Sequence, residues 1–135
     1  MPSGFFLIEL PLQSFDIMTY INFVDDKRMN QFLILDDAGY ESVMAGEGAM
    51  LVDVRTDAEV ARGKIPGALH IPLTALPARL AELDKHKPLV FCCQMGGRSA
   101  QACQFAVAQG YEKVYNLQGG VNAWLAAGKP TTLTI

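Results

Sequence analysis

Short apolar runs alternate along the chain with segments whose apolar residues recur at helical spacing. MLVDV (50–54) is a compact apolar run with one acid near its end, the pattern of a strand buried in a parallel sheet. Thr56 follows, with Glu59 three residues on. That is the spacing of a capping box, in which Thr56 accepts from the amide of the third helical residue and Glu59 reaches back to the cap. The short helix so opened stops near Gly63. ALHIPL (68–73) reads as a brief strand closed by Pro72. In TALPARLAELDKH, Leu76, Leu80 and Leu83 fall on one face of an amphipathic helix, with Pro77 tolerated in its first turn.

LVFCC (89–93) is again a buried strand. RSAQACQFAVAQG then reads as a helix with Ala102, Cys103, Phe105 and Ala106 inward, ended by Gly110 just past its last turn. KVYNL (113–117) is a further strand, and VNAWLAAG (121–128) a helix capped by Gly128, with Trp124 as its core anchor and Pro130 beyond. Strand and helix alternate from about residue 34. This predicts one α/β domain over 34–130, with a central parallel sheet of about five strands, helices on both faces and a short tail at 131–135. Residues 1–33 stand outside the pattern. They read as an N-terminal extension, an arm or an extra strand, or as sequence ahead of a later start at Met18 or Met29.

Composition narrows the classes of function. The chain has 135 residues, half of them apolar, and a net charge of −3. Its Lys and Arg are scattered, so neither a nucleic-acid groove nor attraction to an anionic membrane is expected. The apolar GFFLIELPLQSF lacks a basic flank and is interrupted by Glu9 and Pro11, too short for a span and wrong for a signal peptide. Three cysteines, two of them adjacent, make a poor disulfide framework and read as reduced thiols of a cytoplasmic protein. No CxxC pair is present, and His70 and His86 stand at no familiar ligand spacing, so no metal is expected.

The chemistry concentrates in FCCQMGGRSA (91–100). Ligands of open parallel sheets bind beyond the carboxyl ends of the strands, and this loop joins such an end to a helix N-terminus. Amides there have no intrahelical partner, and the helix dipole favours anions. Gly96 and Gly97 let the backbone curl into an anion nest. A thiol opening the nest has its pKa drawn down by the amides, the dipole and Arg98, with Ser99 able to hydrogen-bond the loop from the first helical turn. Neither histidine is near in sequence, so the thiolate forms by electrostatics, without a general base. Spacing leaves two registers open: C-x4-R from Cys93 and C-x5-R from Cys92.

Three collinear blocks carry a resemblance. LVDVRTDAEVARGKIPGALHIPL (51–73), LVFCCQMGGRSAQACQFAVAQGY (89–111) and VYNLQGGVNAWLAAGKP (114–130) together resemble the rhodanese-like family of sulfurtransferases. The resemblance implies a thiosulfate sulfurtransferase type of enzyme with Cys93 as the catalytic residue. Gln94, Met95, Gly96, Gly97 and Arg98 complete its six-residue loop, Ser99 follows, and Asp53 and Arg55 pair at the pocket rim. It further implies that Cys93 takes sulfane sulfur from a small sulfur-containing anion such as thiosulfate, or from a persulfide donor. The resulting Cys93 persulfide passes sulfur to cyanide, a thiol or a partner protein, with no cofactor, in a monomer or homodimer. Lys64 stands where the family often has histidine. No basic residue lies inside the loop, unlike efficient thiosulfate users of the family, so thiosulfate reads as a test substrate.

Two other functions use the same residues. One is a phosphatase or arsenate reductase acting through Cys92, although Phe91 stands where the phosphatases place histidine. The other is a non-catalytic regulatory or binding module. A redox role for Cys92 or Cys103, resolving an oxidised Cys93, is a third idea.

Overall fold

The computed structural model describes residues 31–46 and 48–133. Of the extension read over 1–33, all but its last three residues lie outside the described part, and Leu33 is the first residue of a strand. Five strands, β1 (Leu33–Leu35), β2 (Met50–Asp53), β3 (Leu69–His70), β4 (Leu89–Cys92) and β5 (Val114–Leu117), form one sheet in the order β1-β5-β4-β2-β3. Every neighbouring pair is parallel. The helices are α1 (Asp37–Gly46), α2 (Asp57–Ala61), α3 (Leu76–Arg79), α4 (Gly97–Ala108) and α5 (Gly120–Ala126). The expected parallel sheet covered on both faces is the fold found.

Alternation along β4 divides the core in two. Leu89, Phe91 and Cys93 pack on one face with Ala102, Cys103 and Ala106 of α4 and the leucines of the α3 region. Val90 and Cys92 pack on the other with Tyr40 of α1 and Val121 and Trp124 of α5. A strand has a side-chain period of two, so adjacent cysteines must fall on opposite faces. Trp124 is the expected anchor: its indole N–H donates to the Pro130 carbonyl at 2.7 Å, and its ring meets Tyr40 edge-on with centroids 5.6 Å apart.

The strand order places the site. From β2 the chain turns toward β3, whereas from β4 it turns the other way, toward β5. The segments leaving the carboxyl ends of these two neighbours diverge and open a crevice between them. Asp53 and Cys92 lie level across that pair, so Arg55 and the Cys93 loop emerge together.

Local signals hold in most elements. The capping box at Thr56 and Glu59 is formed in both halves. At the end of α4, Gly110 has φ of 96°, its N–H reaches the Val107 carbonyl, and the Tyr111 N–H reaches that of Ala106. Those two bonds make a Schellman motif. Lys64 replaces histidine without loss of order: its Nζ donates to the Ala68 carbonyl at 2.7 Å, and its backbone pairs with Thr132, drawing the tail onto the domain.

Three expectations change. ALHIPL narrows to the two-residue strand β3, which among the described residues pairs with β2 alone and is closed by Pro72, which has no N–H to give. The helix read from TALPARLAELDKH is broken into a 3-10 turn at Leu73–Ala75, the single α-turn α3, and a second 3-10 turn at Leu80–Glu82. Leu76, Leu80 and Leu83 are nonetheless all buried. The third change is α1, which the apolar pattern did not single out. A residue distant in sequence meets the broken segment: the Tyr111 hydroxyl lies 2.7 and 2.8 Å from the carbonyls of Leu80 and Leu83, and its one proton is shared between them, while Leu80 also accepts from the Leu83 N–H of the second 3-10 turn at 2.9 Å.

Tyr111→Phe keeps the ring and removes the one proton these buried carbonyls share, while the Leu83 N–H still reaches the Leu80 carbonyl. It is expected to destabilise the fold by about 1–2 kcal/mol, read as a lower urea midpoint at unchanged slope. An unchanged midpoint would show that water replaces the hydroxyl at no cost.

Candidate active site

The loop after β4 is shaped by what its carbonyls bond. The Cys93 carbonyl accepts from the Val121 N–H at 2.9 Å, and the Gln94 carbonyl from the Asn122 N–H at 3.0 Å. Both donors are at the start of α5, where helical amides lack internal partners. In a trans peptide the N–H points opposite the C=O. With the Gln94 carbonyl turned outward to α5, the Met95 N–H of the same peptide is turned inward to the side of the Cys93 sulfur, whose pKa it helps to lower. The approach is close enough to demand glycine: a Cβ on Gly120 would overlap the Cys93 carbonyl oxygen, and its φ is +59°.

Cys93 Sγ lies at the centre of these groups. The Gly96 N–H donates to it at 3.0 Å and the Ser99 hydroxyl at 3.3 Å. Gly96 has φ of 115°, a conformation that side chains resist and that turns the loop into α4. Burial by itself pushes the thiol pKa up, but hydrogen bonds from the Ser99 hydroxyl and from the Ser99, Gly96 and Met95 amides outweigh it, and the pKa falls below the ordinary 9.0. Cys92 has the opposite environment. It is buried on the far face of β4, and burial, reinforced by nearby Asp53, raises its pKa well above the ordinary value. Cys103, also buried, donates its thiol to the Tyr115 carbonyl at 3.3 Å and is pushed up to about 12 by desolvation and then by Cys93.

Two arginines brace the loop, and each is matched by a carboxylate. Arg55 and Asp53 are buried, with Nε and Nη2 on the carboxylate at 2.8–3.1 Å. The Arg55 Nη2 also donates to the Gly63 carbonyl at 2.8 Å, and Nη1 to Gln94 Oε1 at 3.0 Å. Gln94 passes the connection on through Nε2 to Asn122 Oδ1 at 2.6 Å. The pair expected at the pocket rim is thus a strut behind the loop, because a buried guanidinium needs every donor placed and the strand end supplies the acceptors. His70 completes it by bonding the Arg55 carbonyl through Nε2 at 2.7 Å.

Arg98 turns from the loop to α2. Its Nη1 and Nη2 donate to Glu59 Oε1 and Oε2 at 2.7 and 2.9 Å, a bidentate clamp. That clamp first, and then bonds from the Thr56 backbone and hydroxyl and the charge of Arg98, outweigh partial burial and hold the Glu59 carboxyl at a pKa of about 2. Met95, at the tip, is 72% exposed.

Sequence reading named each loop residue but missed three partners. Asn116, the polar residue within the apolar strand VYNL, donates through Nδ2 to the Gly96 carbonyl at 3.1 Å and accepts from the Ser99 hydroxyl at 2.6 Å. Its polarity in a buried run was the available signal. Asn122 and the second role of Glu59 left no local trace.

Among the described residues no group of side chains is arranged to hold a metal, and no helix is long and apolar enough to cross a membrane. A "Sulfurtransferase" of Allochromatium vinosum is 46% identical over 84 residues, 62% of this chain and 78% of that protein. "Thiosulfate sulfurtransferase GlpE" of Stutzerimonas stutzeri is 37% identical over 60% of this chain and 74% of its own length. Of solved structures, the human single-domain sulfurtransferase TSTD1 superposes with a TM-score of 0.64 at 33% identity, covering 71% of this chain and 97% of that one. The model of the rhodanese-like domain matches residues 36–127, and the chain belongs to that family.

Proposed function

We propose that the protein is a sulfurtransferase that carries sulfane sulfur as a persulfide on Cys93, of the thiosulfate sulfurtransferase type. The observation that carries this reading is the thiol held at the focus of inward-pointing amides, with the Gly96 N–H 3.0 Å from Sγ. The Cys93 thiolate attacks the outer sulfur of a donor such as thiosulfate. A new S–S bond forms, the donor's S–S bond breaks, and its electron pair leaves with sulfite. The negative charge then rests on the terminal sulfur, where fixed N–H dipoles stabilise it without reorganising. An acceptor (cyanide, a thiol or a partner protein) attacks that sulfur and restores the thiolate. Cys92 has no part in this reading: it faces away from the loop, and its environment holds it as a thiol. Three free thiols suit a reducing compartment such as the cytoplasm.

Ser99 has one hydroxyl proton and three acceptors in reach: Cys93 Sγ, the Gly96 carbonyl at 3.2 Å and Asn116 Oδ1. When Cys93 is a thiol, Asn116 takes that proton. When sulfur becomes anionic, the hydroxyl turns to it.

Intact mass after incubation with thiosulfate or a persulfide donor is expected to rise by one sulfur atom in the wild type and in Cys92→Ser. Cys93→Ser stays unmodified. A wild type that takes up no sulfur from any donor overturns the reading.

The pH dependence follows in sign from the lowered thiol pKa. Alkylation of Cys93 by iodoacetamide is expected to lose rate as pH falls through an inflection below 9.0. Ser99→Ala removes a donor to the thiolate, moves the inflection upward and slows alkylation at neutral pH about tenfold. An inflection that stays in place in Ser99→Ala removes the hydroxyl from the mechanism.

A further inference from the structure

Arg98 is the only cation within the six-residue loop Cys93–Arg98, yet both of its terminal nitrogens are committed to one carboxylate. Glu59 is itself fixed, because Oε1 also accepts from the Thr56 N–H at 3.0 Å and the Thr56 hydroxyl at 3.1 Å. The second guanidinium behind the loop, Arg55, is matched in the same way by Asp53. Each positive charge that braces the nest is therefore cancelled beside it, and a Cys93 thiolate is the charge left over. A donor arriving as a dianion brings two more negative charges to a site that answers them with amides and one hydroxyl. A donor with one charge meets about half that repulsion.

We propose that Glu59 is a specificity-determining residue. By holding Arg98 it makes the site select donors by charge, favouring sulfane sulfur carried on monoanions, such as alkanethiosulfonates and thiol persulfides, over the thiosulfate dianion. The inference rests on the sulfur-transfer reading of Cys93 and concerns which donor feeds it. For an alkanethiosulfonate the step balances as for thiosulfate: the thiolate bonds to the outer sulfur, the S–S bond of the donor breaks, and a sulfinate leaves with the electron pair. Exposed Met95 at the loop tip offers an apolar contact to the organic part of such a donor, which thiosulfate lacks. The Glu59 carboxyl, held at about 2, keeps its charge at any working pH, so the selection is permanent and does not switch with acidity.

Thiosulfate and methanethiosulfonate test this directly, since they present the same outer sulfur and differ by one charge. The quantity read is the ratio of kcat/KM for thiosulfate to that for methanethiosulfonate, with cyanide as acceptor. Glu59→Gln keeps the carbonyl that caps Thr56 and releases the charge of Arg98, and the ratio is expected to rise about tenfold. Glu59→Gln with Arg98→Gln restores the charge balance and is expected to return the ratio toward the wild-type value, with thermal melts to confirm that both variants fold. In the wild type itself, raising ionic strength screens the same repulsion and raises the ratio. A ratio unmoved by Glu59→Gln, or raised equally in the double variant, overturns the role of Glu59, as does a wild-type ratio that falls with salt. Failure of both donors to form the Cys93 adduct overturns the sulfur-transfer reading itself, a separate outcome visible by mass.

Discussion

The site depends on the contact between the first amides of α5 and the carbonyls of Cys93 and Gln94. A loop that must aim N–H groups at one sulfur has to send the opposite ends of the same peptides somewhere, and buried carbonyls cannot be left unpaired. The N-terminus of α5 is the place that accepts them. Gly119 and Gly120, both at positive φ, bring the helix close enough, and at Gly120 no side chain fits. The helix following β5 is thus part of the apparatus through its backbone amides.

Charge in the site is arranged by the same logic. Burying a thiolate is costly unless dipoles or opposite charges replace its water. Here the replacement comes from amides and one hydroxyl. The two arginines hold the shape of the loop and are neutralised locally by Asp53 and Glu59. In the proposed persulfide chemistry amide dipoles suit this task better than a mobile cation, because they would keep their direction as charge moved from Sγ to a terminal sulfur, with no ion pair to break along the way.

How far this was legible in the sequence divides by distance along the chain. The strands β2, β4 and β5, the capping box at Thr56 and the glycine ends of α4 and α5 are written in adjacent residues and were legible there. The leucines of the α3 region gave the buried face but not the broken helix, whose carbonyls meet the hydroxyl of Tyr111, 31 residues from Leu80. The loop was legible as an anion nest, since glycines and a helix start are local features. Spacing left its register open and the resemblance pointed to Cys93; strand parity sends Cys92 to the Trp124 face and Cys93 to the α4 face. Arg98 was named as the cation of the loop, but its partner Glu59 lies 39 residues away and had already been given a task.

That double use of Glu59 shows why local reading stopped short. As the third residue of α2 it satisfies a helix start, a need the segment 56–59 has by itself. Once the fold brings α2 beside the head of α4, the same carboxylate also fixes the arginine that ends the loop. A neutral cap would serve α2 almost as well. The charge therefore finds its reason across the crevice, in what it takes away from the anion site.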